Sequence, residues 1–228
     1  MSRLAESPSL GAQRARAWLL LIVTAVAVVG CTRSAPSAPP AKPTSVTPGF
    51  VPLFNGSDFT GWRAVIDGKE AAPAPAFTVR DGMIVVAGNP VGYLATGASY
   101  RNFVVRYDWK FAEKAGGNSG LLVYIQQSSH AGSWPSCIEV QGMQSEHGSI
   151  FAIGGAKGEF STDKDAVAKA VKPGDWNTTE VASVDGNLTS TVNGVKISSG
   201  RTEINQGPLG WQSEGAELYL RNIQVKPT

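Results

Sequence analysis

Residues 103–111 read FVVRYDWKF. In an extended chain, Phe103, Val105, Tyr107, Trp109 and Phe111 fall on one side, and Val104, Arg106, Asp108 and Lys110 on the other. Strand side chains alternate with period two, so this segment has one apolar face and one mixed face. A helix would scatter the same five apolar residues around its axis. The reading extends outward from here. In GLLVYIQQ (120–127), Leu121, Val123 and Ile125 share one side while Leu122, Tyr124 and Gln126 share the other, and ELYLRNIQV (217–225) alternates again. Asp81-Gly82, Asp185-Gly186 and Asn193-Gly194 stand between pairs of such segments and supply the positive φ that two-residue hairpin turns require. The pattern predicts an all-β fold, two antiparallel sheets packed as a β-sandwich or jelly roll. One segment departs from it: TDKDAVAKAVK (162–172) reads either as three helical turns capped by Thr162 or as a loop with a single turn, ended by Pro173-Gly174.

The chain has 228 residues, and the first thirty stand apart. Arg3, Arg14 and Arg16 precede an apolar run from Ala17 to Gly30, too short for a confident membrane span and typical of a secretory signal. Val28-Val29-Gly30-Cys31 resembles the bacterial lipobox, which implies a signal peptide over 1–30 and a lipidated Cys31. The alternatives are a plain secretory signal or an uncleaved anchor. The lipoprotein reading implies a cell-envelope protein, held to the membrane by its N-terminal lipid alone and facing the periplasm or the exterior. Residues 31–49 are rich in Pro, Ser and Ala and read as an extended tether. Residues 50–228 are long enough for one domain with its own core. With Cys31 acylated, Cys137 has no partner within the chain, so no disulfide supports that core.

Charge excludes one class of partner. The 20 basic and 18 acidic residues of the whole chain become 15 and 17 in the domain, once Arg3, Arg14, Arg16, Arg33, Lys42 and Glu6 are set aside. A slightly acidic domain without basic clusters does not bind nucleic acid.

SCIEVQGMQ (136–144) is the segment with unusual chemistry. Ile138 and Val140 share a face, leaving Cys137, Glu139 and Gln141 on the other. From the residues alone, Glu139 reads as one half of a cross-strand ion pair with Arg106 or Arg221.

The order of segments carries a family likeness. FVPLFNGSDFTGWRA (50–64) is followed by GGNSGLLVYI (116–125) and IEVQ (138–141). KPGDWNTTEVASVDGNLTSTVNGV (172–195) and GPLGWQSEGAELYLRNIQVKP (207–227) complete it. This succession resembles the 3-keto-disaccharide hydrolase domain family, whose fold is a concanavalin A-like (LamG-like) sandwich. The resemblance implies a carbohydrate ligand, a glycoside already oxidised at C3. It also implies cleavage by elimination or hydrolysis; the competing reading is a non-catalytic, lectin-like module on a tether. A C3 ketone acidifies the C2 proton, so a base can remove it and the C1 substituent can leave. Such a site needs a base near C2 and a donor or metal at the C3 oxygen, not two matched carboxylates.

On that resemblance Glu139 is expected as the catalytic base, or else as a metal ligand, with Gln141 binding sugar hydroxyls. His147 is the second catalytic candidate, and His130 a weaker one. Asn118, Tyr124, Trp134, Trp211, Gln212, Glu214 and Arg221 are expected to bind substrate, the tryptophans by stacking on a ring. Trp62, Trp109 and Trp176 are assigned to the core. No HExxH, CxxC or Asp-rich calcium loop is present, and no cofactor is evident, though a divalent metal on Glu139 and a histidine is compatible with the sequence.

Overall fold

The computed structural model describes residues 46–126 and 134–228. Cys31, the signal segment, most of the tether and His130 lie outside the described residues.

Two antiparallel sheets make up the domain. The first has nine strands. Its path runs β11 (Gly158–Thr162), β14 (Val195–Thr202), β13 (Asn187–Val192), β12 (Asn177–Val184), β7 (Phe103–Phe111), β16 (Leu218–Pro227), β5 (Met83–Val86) and β4 (Phe77–Arg80). β1 (Val51–Pro52) also pairs with β16. The second has seven: β10 (Ile150–Ile153), β9 (Cys137–Gln141), β8 (Gly120–Val123), β15 (Gly210–Ser213), β6 (Gly92–Thr96), β2 (Trp62–Ile66) and β3 (Lys69–Ala71).

The turn residues behave as their chemistry requires. Asp81-Gly82, Asp185-Gly186 and Asn193-Gly194 all have positive φ and close the hairpins β4–β5, β12–β13 and β13–β14. Asp67-Gly68 closes β2–β3 in the same way. Helix α1 spans Lys164–Ala170, shorter than 162–172. Its cap is Asp163 rather than Thr162, because the Asp163 carboxylate accepts from the Ala166 N–H at 3.0 Å. The Thr162 hydroxyl instead donates to Ser198 as part of β11.

Strand β7 alternates buried and half-buried residues from end to end, with Phe103, Val105, Tyr107, Trp109 and Phe111 inside. They pack against Leu94, Leu121, Val123, Ile138, Val140 and Trp211 of the second sheet. Trp211 lies between the rings of Trp62 and Tyr107, each 5.6 Å away. The Trp109 N–H donates to the Thr179 hydroxyl at 2.9 Å, and the His147 ring stacks on Trp109 at 3.8 Å. His147 Nε2 is 2.9 Å from the same hydroxyl and Nδ1 is 3.2 Å from the Gly142 carbonyl. The Thr179 oxygen accepts from Trp109 and so has its own hydrogen for Nε2, which leaves Nδ1–H to donate to Gly142.

Two residues leave the places their sequence pattern assigns. Tyr124 follows the end of β8 with φ of 59°, and this reverses the alternation. Its ring joins the main core with Val123, its hydroxyl donates to the Arg101 carbonyl and meets Ser183 Oγ, and Ile125 turns outward with Leu122. Trp176 is half-buried on the outside of the first sheet, under the Arg221 guanidinium at 3.8 Å, and is no core residue.

The two tryptophans therefore differ in cost. Trp109→Ala is expected to lose about 3–5 kcal/mol, the range for large aromatic truncations in a packed core. Trp176→Ala is expected to lose about 1 kcal/mol or less, the worth of an exposed cation–π contact. Chemical denaturation of both variants checks the pair.

Candidate functional site

The second sheet has a core face and an outer face. Ile138 and Val140 of β9 enter the core, so Cys137, Glu139 and Gln141 point outward. Cross-strand register extends this outer face. Glu139 lies opposite Phe151 of β10 and Leu122 of β8, and Gln141 lies opposite Gly120. Gly210 of β15 is also opposite Leu122, and Gln212 is opposite Tyr93 of β6. A small apolar cluster of Tyr93, Ala95, Leu122, Ile125 and Cys137 covers the middle of the face, with Trp134, Val65 and Ile153 against it.

Glu139 is 6% exposed, and its carboxyl is pushed up to about 7. Burial contributes most, the neighbouring Glu214 carboxylate adds to it, and contact with the Gln212 side chain pulls the other way. Glu214 is itself raised by burial. Neither arginine considered as a partner is near. Arg106 pairs with Glu180 at 2.6 Å and Arg221 with Asp108 at 3.4 Å, both on the outer side of the first sheet. Among the described residues no cation neutralises Glu139, so its ionisation is governed by desolvation and by a like charge.

The glycine-rich segment before β8 makes room for this arrangement. A Cβ at Gly120 would stand 2.2 Å from Gln212 Oε1 and 2.9 Å from Glu139 Oε1, so the amide and the carboxylate both lie over the bare backbone of Gly120. Asn118 bridges to Glu214 and Gly215, and the Ser119 hydroxyl donates to the Gln212 carbonyl at 2.8 Å. GGNSG thus fixes the Gln212–Glu214 strand end beside Glu139. Gln212 is fully buried and its Oε1 has no hydrogen-bond partner, an orphan acceptor at the edge of the site. Gln141 uses its own side-chain oxygen to accept from the Met143 N–H at 2.7 Å.

The structure brings together Glu139, Gln141, Gln212, Glu214, Asn118 and, at the apolar margin, Trp134. It does not bring the other candidates to them. His147 sits in the core between the sheets with both nitrogens engaged, and burial pushes its pKa down to about 3, so it stays neutral and offers no free nitrogen to a ligand on this face. Trp211 is sandwiched in the core and offers no ring to a sugar. Tyr124 is fully buried, and Arg221 is committed to Asp108 and Trp176 on the other sheet. Sequence reasoning missed Tyr93, Gly120 and Arg63. The alternation of GYLAT (92–96) and WRAV (62–65) assigns Tyr93 and Arg63 a face, but only the strand order shows it to be the face of Glu139.

Two carboxylates and the orphan Gln212 oxygen are hard donors of the kind that suit a divalent cation. No cluster of three or more His, Cys, Asp or Glu residues is found among the described residues. The Cys137 thiol is buried and its pKa raised, first by burial and then by Glu139, so it stays protonated.

The fold and the sequence both have relatives. The family model described as the 3-keto-alpha-glucoside-1,2-lyase-like domain matches residues 49–226. A crystal structure from Parabacteroides distasonis, provisionally described as a glycosyl hydrolase, is similar at 24% identity with a TM-score of 0.60, over 82% of this chain and 100% of that one. A carbohydrate-binding module from Bacillus subtilis is similar at 11% identity and TM-score 0.51, over 73% and 95% of the two chains. A Bacillus subtilis protein with a galectin-like fold gives 12% identity and TM-score 0.51, over 78% and 94%. At these identities the three structures share the two-sheet sandwich with this chain. No curated protein matches the sequence.

Opposed titrations make the site visible in stability. Glu139 moves from an ordinary 4.5 up to about 7, so the folded state binds the extra proton, and this contribution is lost as pH rises from about 4.5 to 7. His147 moves from 6.5 down to about 3, so its contribution is complete above 6.5 and is lost as pH falls towards 3. Between about pH 4.5 and 6.5 the two slopes oppose each other, each at most about 1.4 kcal/mol per pH unit. Glu139→Gln is therefore expected to make unfolding free energy rise more steeply with pH across that window. Denaturation curves at pH 4.5, 5.5 and 6.5 measure it.

Proposed function

The chain belongs to the 3-keto-alpha-glucoside-1,2-lyase-like domain family, and on that footing we propose that it cleaves the C1–O bond of glycosides oxidised at C3, with Glu139 as the base. The observation that carries this reading is a desolvated carboxyl group, lifted to about 7, unpaired with any cation and set beside a buried amide and a second carboxylate. A carboxylate at its ordinary pKa is too weak a base for a carbon acid, whereas one near 7 is half-ionised at neutral pH and holds a proton more firmly.

The steps follow from the substrate's chemistry. The Glu139 carboxylate takes the C2 proton, and the electrons of that C–H bond pass to the C3 oxygen as an enolate. The enolate collapses to a C1=C2 double bond and the C1–O bond breaks, so the leaving oxygen departs with a proton. Water adding back across the double bond completes hydrolysis. Hydrogen-bond donors at the developing enolate lower its energy, and the Tyr93 hydroxyl and the Gln212 amide are the donors on this face. Glu214, whose pKa is also raised, is the second acid near the leaving group. A divalent cation held by Glu139, Glu214 and Gln212 would supply Lewis acidity at the same oxygen.

Release of leaving group from a 3-keto glucoside, set against the unoxidised parent, tests the proposal. Wild type is expected to act only on the oxidised compound, with kcat/KM rising as pH passes through about 7. Glu139→Gln is expected to lose about 10²–10⁴-fold, the usual contribution of a positioned base. Activity that survives this substitution refutes Glu139 as the base. Loss on chelation, restored by a divalent cation, assigns Glu139 to a metal instead. Sugar binding without release across a panel of oxidised glycosides leaves a carbohydrate-binding module.

We also infer that the protein works in the cell envelope as a lipoprotein, on the strength of Val28-Val29-Gly30-Cys31. The full chain expressed in a bacterium is expected to take up labelled fatty acid and Cys31→Ala is not; no uptake by the full chain refutes lipidation.

A further inference from the structure

The row of residues that begins at Glu139 continues across five strands: Glu139, Leu122, Gly210, Ala95 and Arg63, each opposite the next. Four strand spacings put the two charged ends about 19 Å apart along the sheet. Between them lie Leu122, Gly210 and Ala95, all buried, with Ile125 and Tyr93 packed over Gly210, so the strip between the two ends carries no charged side chain. Ala64 enters the core, so Arg63 points to the same side as Glu139.

Arg63 is unusual among the arginines of this domain. Arg80, Arg101, Arg106 and Arg221 each have a carboxylate within 4 Å, and Arg201 is exposed to water. No hydrogen bond or ion pair engages Arg63 among the described residues, and its Nε is buried without a hydrogen-bond partner. A guanidinium N–H removed from water and given no acceptor is costly unless a ligand supplies one. Its charge is felt on this face, where it opposes the upward shift that burial gives the Tyr93 hydroxyl. Arg63 also lines a cleft of about 580 Å³, bounded by Ser99, Gln126 and Gln206. Gln126 donates from its amide to the Tyr124 and Gln206 carbonyls, both at 2.8 Å, which fixes that wall.

We propose that the Arg63 end of this face is a subsite for an oxyanion, a carboxylate or a sulfate, on the leaving group of the glycoside. The guanidinium fork matches such a group in charge and geometry. A span of about 19 Å accommodates a sugar ring at Glu139 followed by one further ring bearing the anion. This assignment of substrate class rests on the function proposed for Glu139.

The test uses 3-keto glucosides of 4-hydroxybenzoate, of 4-hydroxybenzenesulfonate and of the neutral isostere 4-hydroxybenzamide. Wild type is expected to cleave at least one anionic compound with kcat/KM tenfold or more above the amide, and which one gains separates carboxylate from sulfur oxyanion. Arg63→Met is expected to lose that preference, its kcat/KM values for the anionic and neutral compounds becoming equal. Equal cleavage of all three by wild type, or a preference that persists in Arg63→Met, overturns the subsite and leaves the cleavage reaction standing. If none is cleaved, the reaction fails instead, and calorimetry decides the subsite. Tighter binding of an anionic glucoside by wild type alone supports it; equal binding by wild type and Arg63→Met overturns it.

Discussion

Strands β6, β8, β9 and β15 have no wet face: every residue in them is buried. The first sheet is different, since β7 and most of β12 alternate between buried and half-buried residues. A carboxylate on a sheet face open to water would keep its ordinary pKa and gain little from its neighbours. On the outer face of the second sheet, Glu139 has lost most of its hydration and received no cation in return. The same desolvation raises Cys137 and Tyr93. The chemistry of the site thus follows from the covering of one sheet face.

That covering depends on close approaches that only small residues permit. Gly120 leaves room for the ends of Glu139 and Gln212 above its backbone. Gly210 sits where a Cβ would come within 2.8 Å of Ile125 Cδ1. These two glycines lie on neighbouring strands, β8 and β15, between Glu139 on one side and Tyr93 and Arg63 on the other. They let Glu139, Gln212 and Ile125 close over the sheet at these two points.

The core shows why residue type alone is a poor guide to role. His147 has the chemistry of a general base, yet its ring is stacked on Trp109 and both nitrogens are bonded, so burial holds it neutral. Trp211 has the surface of a sugar platform, but Trp62 and Tyr107 occupy it. Trp176, with the same side chain, lies outside beneath Arg221. In each case the partner decides, and apart from the Gly142 carbonyl the partners are 30 or more residues distant in sequence.

The sequence by itself determined the strands, the hairpins and the inward face of β9. Alternation and the positive φ of Asp-Gly and Asn-Gly are local effects, readable from a few neighbouring residues. It also put Glu139 outside the core, since a charged residue alternating with Ile138 and Val140 points away from it, while its role as a site residue came only from the family resemblance. What only the tertiary structure decided is which strands lie side by side. β15 enters between β8 and β6, bringing Gln212, Tyr93 and Arg63 to the face of Glu139 across sequence separations that no local pattern encodes. It likewise decided the side chosen by Tyr124, where one positive φ reverses the alternation, and the ionisation of Glu139, because desolvation belongs to the packed face and not to the residue.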